Sequence, residues 1–124
     1  MAGELILIVE DNEKNRRLVR DVLQFKGYET IETETGEEGV ELARTRQPAL
    51  VLMDIQLPGI DGIMALKRLR EDPATRAIRV MAVTASAMTQ DRQNILAAGF
   101  DGYQSKPINV KSFLEAVDTL LRQP

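Results

Sequence analysis

Neither cysteine nor histidine occurs anywhere in the 124 residues. Their absence excludes disulfides, zinc fingers, Cys-His nucleophilic pairs and a phosphohistidine carried on this chain. No apolar run is long enough to span a bilayer, and no charged start leads into a long apolar stretch. The expectation is a cytoplasmic protein with no membrane insertion. A basic stripe is missing too: 16 Lys and Arg stand against 19 Asp and Glu, for a formal net charge of -3. The basic residues scatter over several predicted helices, so direct nucleic-acid binding is not expected. Glycines are lacking after the first apolar run, where Asp11-Asn12-Glu13-Lys14 is acidic and bulky. A dinucleotide enzyme needs small residues there, so that backbone can approach a pyrophosphate. Linkers, internal repeats and low-complexity tails are also absent, and the length suits one domain over residues 1–124.

What is present is a regular alternation of strand and helix. Residues 5–9, Leu-Ile-Leu-Ile-Val, form a continuous apolar run of the kind a strand covered on both faces requires. Leu18, Val19, Val22 and Leu23 then recur at helical spacing, and Gly27 is placed to end that helix. Residues 28–33 read as a more polar strand, suited to a sheet edge. Thr35 and Glu38 have capping-box spacing for a helix to about Arg46, which Pro48 closes. Residues 49–53 are a third strand, followed by a helix capped by Asp61 that ends before Asp72-Pro73. Residues 80–83 make a fourth strand, 90–98 a helix ending at Gly99, and 102–105 a short fifth strand. Asn109 caps a last amphipathic helix carrying Phe113, Leu114, Val117, Leu120 and Leu121. The pattern is α/β: a (βα)5 doubly wound, parallel five-stranded sheet. Right-handed crossovers leave few sheets to choose from, and the reversing order 2-1-3-4-5 is a common one.

Polar residues gather where the strands run out. Glu10 and Asp11 follow the first, Asp54 the third, Thr84 the fourth and Lys106 the fifth. In the order 2-1-3-4-5 these positions converge outside the carboxyl ends of the strands, where open α/β sheets bind ligands. Three carboxylates in one small volume repel one another unless a cation sits among them, and an all-oxygen set suits magnesium, with manganese a possible substitute. The lysine and threonine suit an anion beside that metal. Each motif alone has a plainer reading. Glu10-Asp11-Asn12 serves equally well as a helix cap, Asp54 as a loop carboxylate, Lys106-Pro107 as a solvated lysine before a proline, and Tyr103 as half-buried packing. The five methionines read as core fillers. The coincidence of all these polar residues at one end of consecutive strands favours a phosphoryl site.

The stretches Ile8-Val9-Glu10-Asp11-Asn12, Leu52-Met53-Asp54 through Asp61-Gly62, Val83-Thr84-Ala85 and Ser105-Lys106-Pro107 carry a resemblance. Over essentially its whole length the chain resembles a CheY-like response-regulator receiver domain. Its Glu-Asp-Asn-x-x-Asn opening is most similar to DivK-like single-domain regulators and to receivers attached to hybrid kinases. The resemblance implies two-component signalling without enzymatic turnover of a substrate. A partner phosphohistidine would donate a phosphoryl group to Asp54 with magnesium bound, and the fold would then switch to control protein partners. Magnesium would be held by Asp11, Asp54 and the Gln56 carbonyl, with Glu10 acting through a water. Lys106 and the backbone near Gln56 and Ala85 would meet the phosphoryl oxygens. Thr84 would turn toward the new group, Tyr103 would enter the vacated space, and Gln56 and Ser86 would flank the hydrolytic water. A cis peptide is expected between Lys106 and Pro107.

Implied partners are a histidine kinase or histidine phosphotransfer protein and a downstream protein effector. Lys14, Asn15, Leu18, Asp21 and Val22 on the first helix are the expected docking residues, with Pro107 and Ile108 beside them; Leu18 and Val22 form an apolar i, i+4 pair. Helical periodicity alone leaves open that this pair is simply core. Two alternatives stand beside the receiver reading. One is a receiver excised from a hybrid kinase or larger regulator, against which the initial methionine and the lack of a trailing linker favour a stand-alone protein. The other is a magnesium-dependent phosphohydrolase of the haloacid-dehalogenase type. Such an enzyme normally places a second aspartate where this chain has Gln56.

Overall fold

Five parallel strands form one sheet in the order β2-β1-β3-β4-β5. The structure, a computed structural model, describes residues 3–85 and 89–122, and of residues 89–91 the backbone only. The strands are β1 (Leu5–Val9), β2 (Glu29–Thr33), β3 (Leu50–Asp54), β4 (Arg79–Thr84) and β5 (Gly102–Ser105). The helices between and after them are α1 (Glu13–Phe25), α2 (Gly36–Arg46), α3 (Gly62–Glu71), α4 (Thr89–Ala97) and α5 (Val110–Arg122). The central strand β3 is buried along its whole length, whereas the edge strands β2 and β5 are half-buried. A strand covered on both faces needs apolar side chains on both, which is why β1 and β3 read as unbroken apolar runs.

The sheet separates two half-cores. On one face Leu7, Val9, Val51, Met53, Val80 and Ala82 pack with Ala43 of α2 and with Ala65, Leu66 and Leu69 of α3. On the other, Ile6, Ile8, Leu50, Leu52, Met81 and Val83 pack with Val19 and Leu23 of α1 and with Phe113, Val117 and Leu120 of α5. Alternate residues of each strand thus serve opposite faces. Burying such a side chain contributes about 1.5–3 kcal/mol, so the paired half-cores hold the rim of the sheet in place.

Side chains set the helix starts. Asn12 accepts from the Asn15 amide at 3.0 Å, Asp61 from Met64 at 2.8 Å and Asn109 from Ser112 at 3.0 Å. Thr35 accepts from the Glu38 amide at 3.2 Å, the first half of the expected capping box. The second half differs: the Glu38 carboxylate takes the Thr33 hydroxyl at the end of β2. Nor does Pro48 alone end α2. Gln47 adopts a left-handed conformation at φ 49°, and its side-chain amide donates to the Ala43, Arg44 and Ala74 carbonyls. Gly62 opens α3 where no larger residue fits, because a Cβ there would stand 2.3 Å from the Asp54 carbonyl oxygen. This close approach lays the start of α3 directly against the end of β3.

Candidate functional site

The strand ends deliver the predicted polar residues to one rim. Glu10 follows β1 and extends its pairing, its amide donating to the Thr33 carbonyl at 3.0 Å. Asp54 and Thr84 are the last residues of β3 and β4, and Thr84 lies in register with Ser105 of β5. The chain leaves β5 with the Lys106 amide donating to the Thr84 carbonyl at 2.7 Å. The Lys106–Pro107 peptide is cis.

These backbone positions bring four charged side chains together. The Lys106 ammonium lies 2.9 Å from Asp54 Oδ2 and 2.7 Å from Glu10 Oε1. Asp54 Oδ1 accepts from the Gln56 amide at 3.1 Å, and Glu10 Oε2 from the Asn12 amide at 3.2 Å. Glu10 and Asp54 are each only 4% exposed. Burial drives the Glu10 carboxyl up from 4.5 to about 7; its contact with Asp54 adds to the rise and Lys106 opposes it. Burial pulls Lys106 downward, but its bonds to Glu10 and Asp54 outweigh that and leave it above its ordinary value. Asp11 is exposed at the mouth.

Glu10, Asp11 and Asp54 each offer a carboxylate oxygen, and these oxygens lie within 4.8 Å of one another. One ammonium cannot neutralise three carboxylates. The all-oxygen donor set and the missing positive charge fit a hard divalent cation. The tripeptide Glu10-Asp11-Asn12 divides by residue. Asn12 caps α1 while Glu10 and Asp11 join the acidic cluster.

Thr84 is buried at the rim, and Gln56 and Ala85 are exposed on the loops beside it. Ser86 lies outside the described residues. Tyr103 is half-buried against the α2–α3 face of the core, with the Arg92 guanidinium 5.5 Å from its ring centroid. Of the expected docking residues, Lys14, Leu18, Asp21 and Pro107 are exposed, whereas Asn15 and Ile108 are half-buried. The Leu18–Val22 pair is split: Leu18 is 41% exposed, but Val22 packs against the α1–α5 half-core. Sequence reasoning missed Arg16. Its guanidinium donates to the Glu10 carbonyl at 3.0 Å and pairs with Glu32 and Glu34, both at 3.3 Å. An arginine at an inward position of α1, opposite an acidic edge strand, was the available signal.

A parallel sheet of this order, with an acidic pair, an aspartate, a threonine and a lysine on its carboxyl rim, has the architecture of a phosphoryl-accepting signalling domain. The response regulator receiver domain family matches residues 6–118, and the chain belongs to that family. It is thus a receiver of two-component signal transduction. Among particular relatives, it is 47% identical over 116 residues to the polar-differentiation response regulator DivK of Brucella ovis, covering 94% of each chain. Among solved structures, it is similar to the receiver domain of a sensor histidine kinase from Pseudomonas aeruginosa, which has a magnesium ion coordinated in its active-site cleft. The TM-score is 0.91 at 31% identity, over 98% of this chain and 100% of that one. A CheY-like receiver domain protein from Methanospirillum hungatei matches with a TM-score of 0.84 at 30% identity, over 97% and 94%.

Proposed function

We propose that Asp54 accepts a phosphoryl group from a phosphohistidine on a partner protein in a magnesium-dependent reaction. The observation that carries this reading is the Lys106 ammonium 2.9 Å from a buried aspartate that shares a cluster with two further carboxylates. An Asp54 oxygen attacks phosphorus, the phosphorus–nitrogen bond to the donor imidazole breaks, and the imidazole leaves with that electron pair. The product is an acyl phosphate on Asp54. A carboxylate attacking an anionic phosphoryl group meets charge repulsion, so the site must place positive charge around it. Asp11, Asp54 and the Gln56 carbonyl would hold magnesium, with Glu10 acting through a water. The ion would neutralise charge developing on the phosphoryl oxygens.

The chain's own residues supply the rest. Lys106 already stands at the acceptor and follows the charge from the carboxylate to the phosphoryl oxygen. The Gln56 amide fixes the other Asp54 oxygen at 3.1 Å, which orients the carboxylate. The Thr84 hydroxyl turns to donate to the phosphoryl group, Ala85 offers a backbone amide, and Tyr103 moves into the space that Thr84 leaves. Gln56 and Ser86 flank the path of the hydrolytic water. A histidine kinase or phosphotransfer protein docks where α1 meets the rim, through Lys14, Asn15, Leu18 and Asp21 with Pro107 and Ile108. The switched face then binds a downstream protein in the cytoplasm. The domain serves as a phosphoacceptor rather than a multiple-turnover enzyme.

Incubation with a small phosphodonor and magnesium, followed by intact mass, tests the assignment. One phosphoryl group is expected on the wild type and none on Asp54→Asn. Labelling of that folded variant refutes the acceptor, and many turnovers of donor per chain favour a phosphohydrolase. Grafting another receiver's residues at Lys14, Asn15, Leu18 and Asp21 should redirect kinase preference while leaving small-donor labelling intact. Unchanged preference in the graft places docking on another surface.

A further inference from the structure

Arg16 sits in the first turn of α1, where its side chain is only 16% exposed. Its guanidinium donates to the Glu10 main-chain carbonyl at 3.0 Å and pairs with Glu32 Oε1 and Glu34 Oε1, both at 3.3 Å. Glu10 is thereby held from both sides, since its amide donates to the Thr33 carbonyl at 3.0 Å. The carbonyl that Arg16 holds belongs to the peptide joining Glu10 to Asp11. A peptide unit is planar, so fixing its oxygen fixes the plane and the position of the Asp11 Cα beyond it. Glu10 is buried and anchored through its own carboxylate, whereas Asp11 is exposed at the mouth. The Asp11 side chain therefore takes its place in the cluster mainly from the backbone that carries it.

We propose that Arg16 is a positioning residue for the cation: by fixing the Glu10–Asp11 peptide it sets the spacing of the two carboxylates and so the magnesium affinity. The inference rests on the metal-dependent reading above. Partners that orient metal ligands typically change metal affinity by about 10- to 100-fold when removed. Arg20 provides an internal control. It shares Glu32 at 3.5 Å and pairs with Asp21 at 3.1 Å, so it carries like charge in the same network but binds those side chains rather than the Glu10 backbone.

The test is calorimetric titration of the full chain with magnesium chloride, for the wild type, Arg16→Met, Arg16→Lys and Arg20→Met. Arg16→Met should weaken binding about tenfold, Arg16→Lys should recover part of the loss, and Arg20→Met should match the wild type within a factor of about two. In metal-free protein, the Glu10 amide, which donates to the Thr33 carbonyl, should exchange hydrogen faster in Arg16→Met than in the wild type. Small-donor labelling should need more magnesium for half-saturation yet reach the wild-type plateau rate. Unchanged affinity in Arg16→Met, an equal loss in Arg20→Met, or a fallen plateau with unchanged half-saturation each overturns the proposal. If Arg16→Met fails to fold, Arg16→Lys decides, and wild-type affinity in that variant overturns it. A wild type that binds no magnesium overturns the metal-site reading itself, which is distinct from a binding wild type with an indifferent Arg16.

Discussion

Glu10→Gln should make the metal-free domain more stable at pH 8 although it removes an ion pair. The wild-type carboxyl titrates at about 7 against an ordinary 4.5, because it is buried beside Asp54. A carboxyl raised in the folded state contributes its full stability below pH 4.5 and loses it as pH rises through 7. Integrated over that window, ionising Glu10 costs the fold on the order of 3 kcal/mol by pH 8. The glutamine avoids that cost. It gives up the 2.7 Å contact to Lys106, while the lysine keeps Asp54 at 2.9 Å. That contact is already counted in the value of about 7, so the expected gain is up to about 3 kcal/mol at pH 8, shrinking to nothing near pH 4.5 where the wild-type carboxyl is already neutral. Urea titrations in chelator at several pH values read this directly, and saturating magnesium should narrow or reverse the order. A stability difference that does not change with pH would refute the reasoning, for the raised Glu10 is its whole source.

Lys106→Met leaves Glu10 and Asp54 facing each other without a cation. It should cost up to about 3 kcal/mol in chelator at pH 8, less at pH 5 where Glu10 holds its proton, and less again with magnesium, as urea midpoints would show. Gly62→Ala drives a Cβ to 2.3 Å from the Asp54 carbonyl and 2.9 Å from the Ile55 Cα, so a melting curve should show a loss of about 1–3 kcal/mol or more, with slower labelling of the displaced acceptor. Arg70 donates to the Arg76, Ile78 and Gly99 carbonyls and to Asp101. Arg70→Met should cost about 1.5–3 kcal/mol while magnesium affinity stays at the wild-type value, because none of these partners lies on the rim.

The strand ends were legible because buried parallel strands leave an unmistakable apolar run, and the first polar residue after each run marks the rim. Glu10, Asp54 and Thr84 are of this kind, whereas Lys106 follows the polar end of half-buried β5 and was marked by the Ser105-Lys106-Pro107 stretch instead. The helix caps at Asn12, Asp61 and Asn109 were readable for a similar reason: the bond they make spans a fixed, short distance along the chain. Long polar side chains that find remote partners leave no such trace. Gln47 reaches Ala74 and Arg70 reaches Asp101, and no periodicity announces either, while Arg16, which clamps Glu10 to the edge strand, left only the hint of an inward position on α1. The Leu18–Val22 pair shows the limit of a helical wheel. Val22 is drawn into packing by the α5 neighbour, whose position depends on the whole fold, while Leu18 stays at the surface.

Lys106 and Asp54 touch although they stand 52 positions apart in sequence, and Glu10 lies farther still from that lysine. Bringing them together requires β1, β3, β4 and β5 side by side, so the cluster depends on nearly the whole sheet. Closing such distant contacts is slow and entropically costly, and it is rewarded only once β5 has docked against β4. A ligand that recognises only this closed arrangement binds the folded state and ignores the unfolded one. It then adds to conformational stability by mass action, in proportion to the logarithm of its concentration over its dissociation constant. Occupancy by any such ligand and the integrity of the last strand become linked quantities. A change that loosens the carboxyl-terminal quarter of the chain will therefore register as lost affinity at the rim before any side chain there has been altered.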